Sequence, residues 1–332
     1  MVDSLTDTGT IATIDDDTVD TSSEPSSAAS PGGSTPIPKA KRSGPIALFR
    51  SMPIQVKLCT LWLLFIVGGA IYAQIDERLL DQALPLQDPF YQGLLFGDAQ
   101  TLESPSASHI LGTDTLSRDM FSRIVHGGWV SLIVALTAVS FGIVVGGMIG
   151  TFVGYVRGRS ETTIMALIDV ILAFPPLILL LAMVSIWQAR SLFVISLVVG
   201  LLSIPAYTRV ARANTLAVAN REFVHAAQAI GTKRMTILFR EIIPNVVPTL
   251  LAFALVAAAN IIVIEGTLSF LGLSVQLPTP SWGNMINEGR GNIKVTILPV
   301  LWPSLALTLT VLSLNQVGDW LQRRAAFRGS AL

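Results

Sequence analysis

Six apolar runs, each of roughly 20 residues, divide this chain and limit what it can fold into. They lie near 56–74, 130–155, 163–187, 192–211, 246–267 and 297–318. A helix of that length crosses a bilayer core about 30 Å thick. Apolar residues make up 51% of the 332 positions, charged residues only 13%, and the mean hydropathy is +0.62. That balance points to a polytopic membrane protein. The expected fold class is all-α, with six transmembrane helices.

The same numbers exclude other classes. Net charge is zero, so nucleic acid is not an expected partner; membrane lipid is. The single cysteine, Cys59, lies in an apolar run, so neither an intramolecular disulfide nor a cysteine metal cluster is available. No apolar stretch lies near Met1, so no cleavable signal peptide is expected and the first span serves as the membrane address. Residues 1–44 hold seven acids and no base before Lys39. Such a segment buries too little apolar surface to offset its ordering entropy, and reads as a disordered acidic tail.

Basic residues orient the spans. If the N-terminus is cytoplasmic, sixteen of the 22 Lys and Arg fall on the cytoplasmic side. Both termini are then expected in the cytoplasm, together with the loop between spans four and five. Residues 45–129 read as the first span with a long polar extracytoplasmic segment. Residues 130–325 read as a five-helix core, and 326–332 as a cytoplasmic tail.

The loop at 220–245 is polar and carries helix signals. Asn220 can cap a helix whose first turn holds Glu222. Phe223, Ala226, Ala227 and Ile230 share one face. Gly231 suits a left-handed turn, Thr232 can cap a second short helix, and Pro244 closes the unit. Two short amphipathic helices fit a docking element better than a span; the alternative is a helix pair lying on the membrane surface.

Four stretches in order carry a family resemblance. Glu222, Ala226, Ala227 and Gly231, continued by Ile237 and Pro244, keep the order and spacing of the EAA loop of ABC-importer permeases. His109–Arg123, Leu268–Gly283 and Leu314–Leu321 add three further motifs. Together they span about 45–325 and resemble the second permease subunit of dipeptide, oligopeptide and nickel importers. The resemblance implies a type I importer permease fold in a bacterial cell membrane, with the loop as a coupling helix seated in an ATPase groove. It implies a homologous permease, two ATP-binding subunits, an extracytoplasmic substrate-binding protein and short peptides as cargo. Gln228 and Glu241 depart from the family's usual basic residue and histidine, and Ser117 and Trp129 from its glycine and arginine.

The chain has no GxxxxGK[ST] phosphate loop, so no cofactor is expected on it; ATP and magnesium belong to partner subunits. His109, His126 and His225 are scattered without metal-ligand spacing. No catalytic residues are expected. Asp114, Arg118, Asp119 and Arg123 alternate in sign before span two. They read either as a self-paired helix start, with Asp119 and Arg123 at i, i+4, or as a gate or contact surface for the binding protein. Asp169 and Glu265 lie within spans, where charge is costly, and are candidates for the translocation path; for Glu265 an interhelical hydrogen bond is the alternative. Asp319 has Arg323 as a plausible i, i+4 partner. Gly142, Gly146, Gly150 and Gly154 form a smooth ridge for a neighbouring helix. A carrier driven by an ion gradient through Asp169 and Glu265, or a nickel permease, is the alternative function.

Overall fold

The apolar runs are helices, and most extend beyond the predicted windows. The computed structural model describes residues 49, 51–79, 88–92, 95, 100–187, 191–275 and 277–329. The tail expected over 1–44 lies outside the described residues. Among those described, the helices are α1 (Ile54–Leu79), α2 (Met120–Val156), α3 (Arg159–Ala173), α4 (Pro176–Trp187), α5 (Leu192–Ala219), α6 (Glu222–Ala229), α7 (Arg234–Phe270), α8 (Trp282–Gly289) and α9 (Leu298–Gly329). No strand occurs among the described residues, apart from an isolated bridge between Thr113 and Asp119. Among the described residues, five helices are long and apolar enough to cross a membrane; α3 and α4 together make a sixth candidate.

The third predicted span is not one rod. Phe174 is extended (φ −84°, ψ 136°), and α3 and α4 meet at 85°. The cause is local: Pro175 pushes the residue before it out of the helical region, and Pro176 offers no N–H to continue the ladder. By contrast, α2 begins ten residues before its predicted span and runs 37 residues, about 55 Å by helical rise. Hydropathy detects the membrane-crossing part of such a helix and misses its amphipathic first turns.

The glycine ridge of α2 packs on α5. A Cβ on Gly146 would lie 2.7 Å from the Ile204 carbonyl oxygen, and one on Gly154 would lie 2.9 Å from Thr215 Cβ. Only a hydrogen fits at these positions, so the two backbones approach closely. Within the ridge, Gly142–Gly146 forms a π-turn. Ala138, Ile195, Val198, Tyr207, Ala211 and Ile262 are buried around this seam. Tyr207 meets Phe253 of α7 edge-on at 5.3 Å, and Trp62 of α1 donates from Nε1 to Thr310 Oγ1 of α9 at 3.1 Å. An apolar side chain gains little by leaving lipid for protein, so close packing and such polar contacts hold the bundle. Leu58, Leu64, Leu136 and Phe193 stay exposed on its outside.

Candidate functional site

The first polar cluster forms where the loop before α2 meets α8. Asp114 Oδ1 accepts from the backbone N–H groups of Leu116 (2.8 Å) and Arg118 (2.9 Å). Its Oδ2 accepts from Arg118 Nε at 2.6 Å and from Arg123 Nη1. The two arginines then reach across to α8: Arg118 Nη2 donates to Glu288 Oε1 at 2.9 Å and Arg123 Nη2 to Glu288 Oε2 at 2.8 Å. Two cations thus face two anions, with the Arg118 and Arg123 side chains 3% and 1% exposed. Burial at this level is tolerable only because the charges are balanced and hydrogen-bonded.

The predicted pairing of Asp119 with Arg123 does not form. Asp119 is the N-cap of α2, and its Oδ2 accepts from Ser122 N at 2.7 Å. A capping carboxylate turns back onto its own first turn instead of reaching along the helix face. Its Oδ1 lies 3.3 Å from His109 Nδ1. Glu288 was missed by sequence reading because it lies beyond the Leu268–Gly283 motif. The available signal was the Ser281–Asn284 capping box, which announces a helix there.

Deeper in the bundle, Glu265 of α7 is fully buried. Its carboxylate accepts from Ser131 Oγ of α2 (2.8 Å), Ser269 Oγ (2.7 Å) and Ser274 Oγ (3.2 Å). Ser281, the N-cap of α8, donates to Ser269 Oγ at 2.9 Å, and Trp282 Nε1 donates to the Ile124 carbonyl at 2.9 Å. Helix α8 is therefore tied to α7 and α2 at its N-terminal end and, through Glu288 and Arg123, to α2 again at its C-terminal end. The other membrane acid, Asp169, is exposed and pairs with Arg209 at 2.6 Å. Asp319 makes no ion pair with Arg323 among the described residues.

At the opposite end of α2 stands the α6 unit. Asn220 closes α5, and Arg221, not Asn220, occupies the N-cap position of α6 without a side-chain cap. Glu222 lies in the first turn. The face turned to the bundle is centred on fully buried Val224 and includes Ala227. Phe223, Ala226 and Ile230 point outward instead, with Ile230 82% exposed. The predicted apolar face is thus split, because α6 is held by its flank. Gly231 has φ +78°, as the turn requires, and no neighbour lies where its Cβ would be. The separate second helix is not observed. Lys233, not Thr232, precedes Arg234, and the helix continues through a π-turn at Leu238–Ile242. Ile237 is fully buried and Pro244 lies inside α7 rather than closing a unit. Its missing N–H is accommodated because the regular ladder is already interrupted by the π-turn just before it.

Residues 142–328 match the family described as "Binding-protein-dependent transport system inner membrane component". The chain belongs to that family. As such it is the membrane-spanning permease subunit of an ABC importer, a transporter component and not itself an enzyme. It is similar to the glutathione transport system permease protein GsiD of Pectobacterium atrosepticum, 39% identical over 220 residues that cover 66% of this chain and 73% of that one. GsiD of Escherichia coli O157:H7 is 39% identical over 218 residues, covering 66% and 72%. Among solved structures, the inward-facing MetNI methionine ABC transporter aligns with a TM-score of 0.52 at 20% identity, covering 62% of this chain and 97% of that one. That likeness shows a shared fold. Membership supports the importer permease over the alternative of an ion-gradient carrier. The matched region of the permease takes in α6, Glu265 and Glu288, whereas Asp114, Arg118 and Arg123 precede it.

Proposed function

We propose that this permease moves short peptides inward as one half of a membrane path whose other half is a homologous permease. An extracytoplasmic binding protein delivers the cargo. Two ATP-binding subunits hold ATP and magnesium and supply hydrolysis. The peptide assignment is supported by the similarity to glutathione permeases, glutathione being a tripeptide. Both termini and α6 face the cytoplasm in this reading, in keeping with the skew of basic residues to that side.

The observation that carries the coupling role is the outward face of α6. Phe223, Ile230 and Met235 are 37%, 82% and 52% exposed beside Glu222, on a unit too polar and too short to lie in the bilayer core. An apolar patch on a polar projection fits a partner's groove, and Gly231 sets the angle at which it is offered. Asp114, Arg118 and Arg123 act as an outer gate by holding α8, with Asp119 capping the first turn of α2 from which Arg123 reaches across; buried arginines are poor contacts for a binding protein. Glu265 and Asp169 border the path when the bundle opens.

The test is co-purification of a C-terminally tagged chain in mild detergent. Ile230→Asp is expected to keep the second permease and lose the ATP-binding subunits. Retention of the ATP-binding subunits at wild-type stoichiometry would sink the assignment of α6.

A further inference from the structure

A cavity of about 490 Å³ opens between the ends of α2 and α5 and the inner flank of α6. Its walls include Tyr155 in the last turn of α2 and Arg157 just after it, Asn220 at the end of α5, His225 and Gln228 of α6, and Arg234 at the start of α7. None of the described residues lining it is acidic. Arg157 has one long side-chain bond, from Nη2 to Asn220 Oδ1 at 3.4 Å. His225 and Arg234 have no side-chain hydrogen bond or ion pair among the described residues. Nearby arginines are not left this way: Arg209 is paired with Asp169, and Arg212 Nε donates to Glu161 Oε1 at 2.7 Å.

Two further observations mark the cavity. The Tyr155 hydroxyl is shielded from solvent and has no hydrogen-bond partner among the described residues, an arrangement that costs free energy. Arg157 has φ +55°, a backbone region that non-glycine residues seldom occupy and that concentrates where function requires strain. The wall formed by Tyr155 is also the last turn of a spanning helix. The last turn of a membrane-crossing helix is where tyrosines commonly meet lipid headgroups. Two guanidinium groups, a phenol hydroxyl, an imidazole and two side-chain amides supply many donors around one space. Such a set suits a tetrahedral anion with several acceptor oxygens.

We propose that this cavity binds a phosphate group, supplied by the headgroup of an anionic phospholipid in the adjoining leaflet. Basic pockets between membrane helices take such headgroups. The bound phosphate bridges Arg157 of the bundle and Arg234 beside α6, and so braces α6 across a gap the chain itself does not close. That the leaflet is cytoplasmic, and that bracing α6 affects coupling, rests on the function proposed above; phosphate binding does not.

The experiment is native mass spectrometry of the full chain in detergent, titrated with phosphatidylglycerol and, separately, with zwitterionic phosphatidylcholine. The wild-type chain is expected to retain phosphatidylglycerol selectively. Arg157→Gln combined with Arg234→Gln should weaken that retention by about tenfold or more. Lys294→Gln, between α8 and α9, should leave it unchanged. Tyr155→Phe removes a hydroxyl that is unpartnered without lipid, so it should fold as wild type yet bind phosphatidylglycerol several-fold more weakly. Equal retention by wild type and both cavity variants would overturn the site. Displacement of the lipid by micromolar inorganic phosphate would overturn the lipid as source. Lipid selectivity that survives alongside loss of ATP-binding subunits, or the reverse, separates this site from the docking role of α6.

Discussion

The two ends of α2 solve opposite problems. At the Met120 end, Asp114, Arg118, Arg123 and Glu288 satisfy one another, and the arginines are almost completely buried. At the Val156 end, about 55 Å away by helical rise, Ile230 is 82% exposed and the Arg234 side chain has no hydrogen-bond or ion-pair partner among the described residues. One end is completed by its own chain. The other offers apolar surface and unpaired cations that need something outside the chain. A buried charge cluster is worth its desolvation only if it fixes a geometry, and here it fixes α8 against α2. Exposed apolar residues on a polar helix contribute little to the fold of the single chain; the proposed contact with an ATP-binding subunit accounts for them.

The largest test of that contrast is Arg123→Ala. It leaves buried Asp114 and half-buried Glu288 with a single cation, and breaking a buried pair costs about 3–5 kcal/mol. Thermal unfolding of the detergent-purified chain should show a large drop in the midpoint. Ile230→Asp at the other end should stay within about 0.5 kcal/mol of wild type, as exposed substitutions do. Similar losses for the two variants would erase the distinction between a self-sufficient end and an unfinished one.

Glu265 sharpens the same comparison in the interior. Glu265→Leu removes the acceptor for Ser131, Ser269 and Ser274 and is expected to cost about 1–3 kcal/mol. Glu265→Gln keeps an acceptor oxygen and should recover part of that loss. Uptake by the assembled transporter decides between the two roles of this residue. Lowered stability with unchanged uptake of peptides of differing charge means a tie between helices. A change that tracks peptide charge means the carboxylate borders the path.

Much of this was legible before any coordinates, for physical reasons. The bilayer imposes a length on apolar runs, so helix existence could be read off hydropathy. The i, i+4 glycines announced the α2–α5 seam because only small side chains admit so close an approach. Pro175 and Pro176 lie at the break between α3 and α4, since neither can continue a helix ladder. What sequence did not yield was pairing over distance. Arg123 has Asp119 four residues away, yet its partners are Asp114 and Glu288, the second 165 positions along the chain. Local spacing cannot rank such partners, because tertiary packing decides which carboxylate arrives. The capping errors at Asn220 and Thr232 have a similar origin. Each residue was a good cap by type, but the neighbouring helices claimed the position first.

The smallest effect is expected at the Asp169–Arg209 pair, and it is informative for that reason. Both side chains are more than half exposed, at 58% and 52%. An exposed ion pair contributes about 0–1 kcal/mol, since water and salt compete for both partners. Asp169→Asn should therefore leave the unfolding midpoint nearly unchanged, unlike either buried carboxylate site. Any clear loss of uptake in that variant then cannot be assigned to a weakened fold. It would place Asp169 on the path or at the surface against the second permease, where exposure in the single chain becomes contact in the assembly. Unchanged uptake together with unchanged stability would remove Asp169 from the functional residues and leave Glu265 as the membrane acid to explain.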